Sequence, residues 1–355
     1  MWTRRNAMKA GAAAAAATLP GVSSGVFAQA KPENITLMTW GGLWGDGVAQ
    51  NVDVRFAEKY GVKVVQDRGS SPSERITKIK VNVNNQIFDL IQLVDGMFPL
   101  AVAQDAVEPL NKNSPNYTNL PDVHPNLVHS HFLGNNYSAL GICYNTKEVK
   151  NPVTSWADLW RPEFKGRVVI PDVSHSIGTH IVAVGAIAAG KDPKDADAGF
   201  DMLKKLIDND PIITKDTDTI MSALTTGEAV AGLLYKSQTY TVLDRKKEPV
   251  TWAYPKEGAI SVSWGTAIAK GTKNIDLAEK YMNECIAAEN QIWYAEKFNY
   301  AGSNKKMNGM LDPKLKERVE LSEKELANLV VLDMAYMSET RPAWTDRWNR
   351  TVAGR

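Results

Sequence analysis

The stretch TSWADLWRPEFKGRVVIPD, residues 154–172, holds a complete local plan. Ser155 supplies a cap, Trp156, Leu159 and Trp160 fall on one face of a turn, Pro162 breaks it, and RVVIP reads as a buried strand. A capped apolar turn running into a β-branched strand opens an α/β layer. Upstream, NITLMTW alternates like a strand, GGLWGDG reads as a glycine loop, and VAQNVDVRFAEKY has helical spacing. VKVVQ is then a strand, SERITKIKVNV a helix with Pro72 near its start, and FDLIQLV a second buried strand. Residues 111–136, rich in Asn, Pro and His, read as a surface excursion that ends at the strand YSALGICYN. Downstream, GTHIVAVGAIAAG and ADAGFDMLKKLID are helices, TDTIMSALTTG is a helix ended by Gly227, and AVAGLLY is a buried strand. ISVSWGTAIAKG reads as a crossing back, and IDLAEKYMNECIAAE, QIWYAEKF and the segments after Ser322 are helical. Strands alternating with helices predict an α/β protein with mainly parallel sheets covered on both faces.

The first thirty residues stand apart. Thr3, Arg4 and Arg5 precede an Ala-rich run that ends at Ala28, Gln29 and Ala30, the pattern of a cleavable export signal of twin-arginine type, which implies a periplasmic chain. A membrane anchor is the other reading; the run is short for one and is broken by Pro20 and Gly21. What remains of the 355 residues is enough for two cores. The formal charge of +1 falls once Arg4, Arg5 and Lys9 leave, and such balance argues against nucleic-acid or anionic-membrane partners. Cys143 and Cys285 lie in apolar settings without a CxxC partner, which favours two buried free thiols over a single bridge.

Two segments return between the halves, near 138–142 and 254–262, and predict a hinged cleft between two lobes. Residues 31–138 and 263–355 form lobe 1, leaving room for part of the C-terminal helices to pack on lobe 2, and 139–262 form lobe 2. NPVTSWADLWRPEFKGRVVIPD, then WAYPKEG at 252–258 and the closing VAGR, resembles the periplasmic spermidine/putrescine-binding proteins of ABC importers. NITLMTW, FAEKYGVKV and FDLI follow in corresponding order. The resemblance implies a type II periplasmic binding fold that closes on a small solute and passes it to ABC permease subunits in the inner membrane. It implies a monomer without a cofactor. In that family, carboxylates hold the ammonium groups and aromatic rings line the methylene chain. Here Val173 and Ser176 stand where two acids are expected, and Val262 and Trp264 where an aromatic and an aspartate are expected. At least three carboxylates are gone, and a buried diammonium ion would lack its charge-assisted bonds.

In open α/β sheets, ligands bind beyond the carboxyl ends of strands, where helix N-termini also point. That rule selects Trp40 and Gly41 after the first strand, Asp95 after FDLIQLV, Ser174, His175 and Ser176 after RVVIPD, and Tyr235 and Lys236 at the end of AVAGLLY. Trp264 and Tyr300 complete the set. Ser174, Ser176 and Thr179 opposite Lys236 form an expected anion socket, with Asp95 across the cleft for an amine and Trp40, Tyr235 or Trp264 for stacking. The favoured solute is therefore a carboxylate-bearing or zwitterionic amine, and the alternative is a true polyamine held by other acids. An exported enzyme is the competing class. No GxGxxG, GxxxxGK[ST] or GxSxG motif supports it, and His124, His129 and His131 lack a metal-binding helical spacing. A ferric-ion binder would need paired tyrosines, and Tyr294 and Tyr300 are separated.

Overall fold

The computed structural model describes residues 32–175, 177–246 and 249–353. The expected export signal and Ser176 lie outside those residues. NITLMT forms strand β1 (Asn34–Thr39), whose alternation sends Ile35 and Leu37 to one apolar cluster and Met38 to another on the opposite face. Strands β2 (Lys63–Arg68) and β3 (Leu90–Val94) flank β1, both parallel to it. Strand β4 spans Phe132–Asn145. In the second half, β5 (Val168–Pro171) lies between β6 (Ile212–Thr214) and β7 (Ala231–Tyr235), again parallel to both. Strand β8 (Val250–Ala253) pairs with β4, β9 spans Ile260–Ile268, and β10 (Ala301–Gly302) also pairs with β4.

Two parallel trios were expected to make separate sheets, yet the hydrogen bonds join them into one sheet of order β2-β1-β3-β9-β4-β7-β5-β6. The cause lies in the two crossing strands. β9 runs antiparallel to β3 and to the first part of β4, from Phe132↔Ala267 to Leu140↔Ile260, and the last part of β4 runs antiparallel to β7. Each trio remains covered on both faces. Phe56, Tyr281 and Tyr294 cover one face of the first and Ile76, Ile79 and Phe98 the other. Trp156, Phe200 and Trp348 cover one face of the second, and Ile220, Leu224 and Val242 the other. The helix Met334–Ala353 contributes Met337, Trp344 and Trp348 to the second half, with Trp344 edge-on to Phe200 at 6.1 Å.

The opening stretch folds as its sequence dictates. Ser155 caps a 3-10 turn, Trp156–Trp160, in a reciprocal arrangement with Asp158. The segment WAYPKEG then closes over it. Glu257 accepts from the Ser155 hydroxyl and from the Trp156 amide (3.1 Å), and the Trp156 indole donates to the Gly258 carbonyl at 2.9 Å. Gly227 ends the helix Thr217–Thr226 at φ 78°, a left-handed position that suits glycine.

GGLWGDG is helical rather than a loop, with Gly42–Val48 running through one wider turn, Ala49–Asp53, into Val54–Tyr60. Gly45 and Gly47 serve close packing. A Cβ on Gly45 would stand 2.4 Å from the Trp40 carbonyl, and one on Gly47 would stand 2.2 Å from the Trp293 ring. The excursion is more anchored than its composition suggests: Ser114 and Asn116 bond Glu279, and the Asn119 amide bonds Asn283. Its end is already strand, since β4 begins at Phe132. Cys143 and Cys285 are buried free thiols in different clusters. No described helix is long and apolar enough to cross a membrane.

Candidate functional site

The carboxyl ends of β1, β3 and β7 and the middle of β9 surround a cavity of about 480 Å³. Trp40, Asp95 and Tyr235, three of the residues selected by the strand-end rule, line it together with the expected Trp264. Trp40 follows β1. Its ring carries the Arg75 guanidinium at 4.4 Å from the centroid and meets Trp44 edge-on at 5.3 Å. Trp44 is fixed by its indole N–H to Gln92 Oε1 (3.2 Å), the same oxygen that accepts from Thr39 at 2.6 Å. Trp264 is held from the side by Tyr300, stacked at 4.4 Å and 22°. Two indoles thus enter the cavity as rigid plates, each supported by a further aromatic ring.

Asp95 opens a single turn at the end of β3. Its Oδ2 accepts from the Ser263 amide (2.7 Å) and hydroxyl (3.3 Å), and its Oδ1 from the Gly96 amide (2.8 Å). Burial pushes its carboxyl up to about 6, against the pull of those hydrogen bonds. Three of its roughly four acceptor positions are therefore spent, two on tying the end of β3 to β9 through Ser263 and one on its own turn at Gly96. Asp95 is the one acid among the described residues lining the cavity.

The opposite wall comes from the helix His180–Ala188 and the helix Met334–Ala353. Thr179 and His180 line the cavity at the first helix's N-terminus, which presents partial positive charge. Burial pushes His180 down to about 4, with the Arg341 charge adding to the effect, so its imidazole is neutral at pH 7. Its Nδ1 is buried without a hydrogen-bond partner. Arg341 also lines the cavity, and one of its terminal nitrogens donates to the carbonyls of Val173 (3.2 Å) and His175 (3.3 Å). Among the described residues no carboxylate pairs with it. The next residue, Pro342, lies inside the helix and has no N–H, so the carbonyl of Ser338, another lining residue, lacks its helical donor.

The remaining expected residues fall elsewhere. Gly41 precedes the helix Gly42–Val48 as its cap and does not line the cavity. Tyr300 supports Trp264 from outside, its phenol pushed up to about 12 by burial. Ser174 turns back on Asp172, to which its hydroxyl donates at 2.5 Å. The ring of His175 accepts the Ile177 amide at Nδ1 (3.2 Å) and meets the Thr217 hydroxyl through Nε2 (3.1 Å), which makes it a staple of its own loop. Lys236 is not in the expected socket. Its ammonium donates to the carbonyls of Glu317 (3.3 Å) and Glu320 (2.5 Å), at the C-terminal end of the helix Pro313–Val319. A helix C-terminus is a favourable seat for a cation, and here it takes the lysine away from the cavity. Sequence reasoning missed Arg341, His180 and Ser338. The one trace it offered is an Arg-Pro pair inside an otherwise helical pattern.

The cavity presents two supported indoles, a helix N-terminus and a cation with no carboxylate partner among the described residues, an arrangement suited to holding a small polar molecule. The chain belongs to the bacterial extracellular solute-binding proteins, whose family model matches residues 51–322. It is 25% identical over 301 residues to the spermidine/putrescine-binding periplasmic protein of Escherichia coli, covering 82% of this chain and 84% of the relative. The solved structure of an ABC transporter protein from Clostridium perfringens superposes with a TM-score of 0.79 at 25% identity, over 90% of this chain and 99% of that one. The structure described as the Atu4243 GABA receptor superposes with a TM-score of 0.74 at 22% identity, over 91% and 98%. The chain is thus a solute-binding protein on the polyamine-binder fold.

Proposed function

We propose that this protein captures a small amine bearing a carboxylate in the periplasm and delivers it, as a monomer, to the permease subunits of an ABC importer. Arg341 carries the reading: a guanidinium without a carboxylate partner lines the cavity beside a helix N-terminus and attracts an anionic group. The amine end finds Asp95 and the Ser338 carbonyl, the apolar middle packs on Trp264, and Trp40 borders the charged part of the solute. Relatives on this fold are named for polyamines and a structural neighbour for GABA, so the fold admits either kind of solute and the cavity must choose. A diammonium ion would bring two charges to one aspartate whose oxygens already accept three hydrogen bonds, with Arg341 opposing it.

Residues 1–30 act in this reading as a cleavable signal, with Arg4 and Arg5 directing the twin-arginine route. The two lobes, 31–138 with 263–330 and 139–262 with the C-terminal helix, close about β4 and β9. This assignment moves the last helix to lobe 2, where its tryptophans pack. Native mass spectrometry of protein purified without denaturation identifies any retained solute. A thermal-shift panel then pairs amino carboxylates with diamines of equal chain length. A matching solute at a hundred times its dissociation constant adds about 2.7 kcal/mol of stability. Co-purified putrescine or spermidine that outcompetes every carboxylate would overturn the charge assignment while leaving the transport role intact.

A further inference from the structure

Arg75 is fully buried in the helix Pro72–Asn82, yet it forms no ion pair among the described residues. Its Nε donates to the Ser70 carbonyl (3.1 Å) and one terminal nitrogen to the Gln92 carbonyl (2.5 Å), while the other terminal nitrogen is buried without a partner. The acid electrostatically closest to it, Asp67, is bonded to Lys78 at 3.1 Å. A buried cation held only by carbonyls is costly, and its remaining neighbour is the Trp40 ring at 4.4 Å. Trp40 lines the cavity and Arg75, stacked on its ring, does not, so the charge meets the solute space by way of the indole.

We propose that Arg75 sets the charge preference of the solute site through Trp40, as a positioning residue that makes the cavity side of the indole hostile to ammonium groups and accepting of carboxylates. An indole face attracts cations through its negative quadrupole, and Arg75 already occupies one face. A second cation at similar height on the other face would stand roughly 8–9 Å from the guanidinium, which at intermediate dielectric weakens its binding about ten- to thirtyfold. An anion at the same place gains by a similar factor. The inference rests on the reading that this cavity is the solute site and adds a second, buried determinant to Arg341.

Two measurements test it. The first needs no solute. Iodide and caesium quenching of tryptophan fluorescence, normalised to a free indole and taken as the difference between wild type and Trp40→Phe, reports the potential at Trp40, which is half-buried and reachable. Iodide should quench this component severalfold more strongly than caesium. Arg75→Gln, which keeps a donor for the Gln92 carbonyl, should bring the two constants together, and Arg75→Lys should preserve the gap. Equal constants in wild type, or a gap unchanged in Arg75→Gln, would overturn the proposal, and the wild-type comparison stands even should Arg75→Gln fail to fold. The second measurement is calorimetry with 4-aminobutanoate and putrescine, where Arg75→Gln should shift the affinity ratio about ten- to thirtyfold toward putrescine. A shift equal for both probes would mark a merely structural role. Because quenching reads the charge of Arg75 without any solute bound, its failure is distinguishable from a failure of the carboxylate reading in the thermal-shift panel.

Discussion

Replacing Arg341 by Met removes the charge that lines the solute cavity and keeps an unbranched apolar side chain in its place. A carboxylate about 4 Å from a guanidinium at intermediate dielectric is attracted by about 4 kcal/mol, most of which is offset by desolvation of both groups. The net loss on deleting one charge-assisted contact is about 1.5–3 kcal/mol, or roughly ten- to a hundredfold in the dissociation constant. The same side chain also ties the loop after β5 through the carbonyls of Val173 and His175, so part of any effect is loss of order. Arg341→Lys separates the two contributions: it restores the charge without the planar fork and should recover part of the carboxylate affinity. Calorimetry with an amino carboxylate and the diamine of equal length supplies the comparison. The carboxylate should weaken by one to two orders of magnitude while the diamine holds or improves. Parallel losses for the two probes, or an unchanged carboxylate constant, would refute the assignment.

Lys236 is expected to act on stability and not on solute choice. Burial holds its ammonium down at about 8 from 10.5, so the folded protein loses that proton first and stability rises with pH across this window. Lys236→Met should flatten that rise in denaturant melts and leave solute affinity within about twofold. For Asp95 the sign is opposite. Its carboxyl is raised from 3.8 to about 6, the folded state takes up a proton first, and wild-type stability falls as pH climbs through that interval. Asp95→Asn should remove this component of the pH profile, and matching slopes for the two proteins would count against it. Trp156→Phe deletes the indole bond to the Gly258 carbonyl and should lower unfolding stability by about 1–3 kcal/mol without moving the solute affinity.

The fold was most legible where the signals are local. The Ser155 cap, the Pro162 break, the Gly227 stop and the apolar runs of β3, β5 and β7 act within a few residues, and each appears at the expected place. Less local causes were hidden. Gly45 and Gly47 of GGLWGDG sit in a helix where the Trp40 carbonyl and the Trp293 ring leave no room for a Cβ, the ring belonging to a residue more than two hundred positions away. The start of β4 looks like loop because Asn135 and Asn136 are polar. Its ladder comes from β9, with Asn136 opposite Trp264, and the amide of Asn135 finds Thr266 at 2.8 Å. The joining of the two trios into one sheet depends on how far β4 and β9 run past each other, a length that no turn or cap reports.

At the site, the strand-end rule found residues that follow a strand and could not say which way each would point. Tyr235 ends β7 and reaches the cavity; Lys236 starts the next helix and turns to the carbonyls of Glu317 and Glu320. Adjacent residues in a strand face opposite ways, so at the end of β7 a rule that selects both Tyr235 and Lys236 is right about one. The cation that does reach the cavity lies on a helix that packs on the second half of the molecule and binds carbonyls 166 and 168 residues earlier in the chain. The sequence displayed the subtraction, since acids are absent at Val173 and Trp264, and the structure supplies the addition. Loss of acids alone would leave a cavity indifferent to charge. A guanidinium lining it, with only carbonyls as hydrogen-bond partners among the described residues, leaves an attraction that a carboxylate would satisfy and a second ammonium group would oppose, and on this asymmetry rests the proposal of an acid-bearing amine over a polyamine.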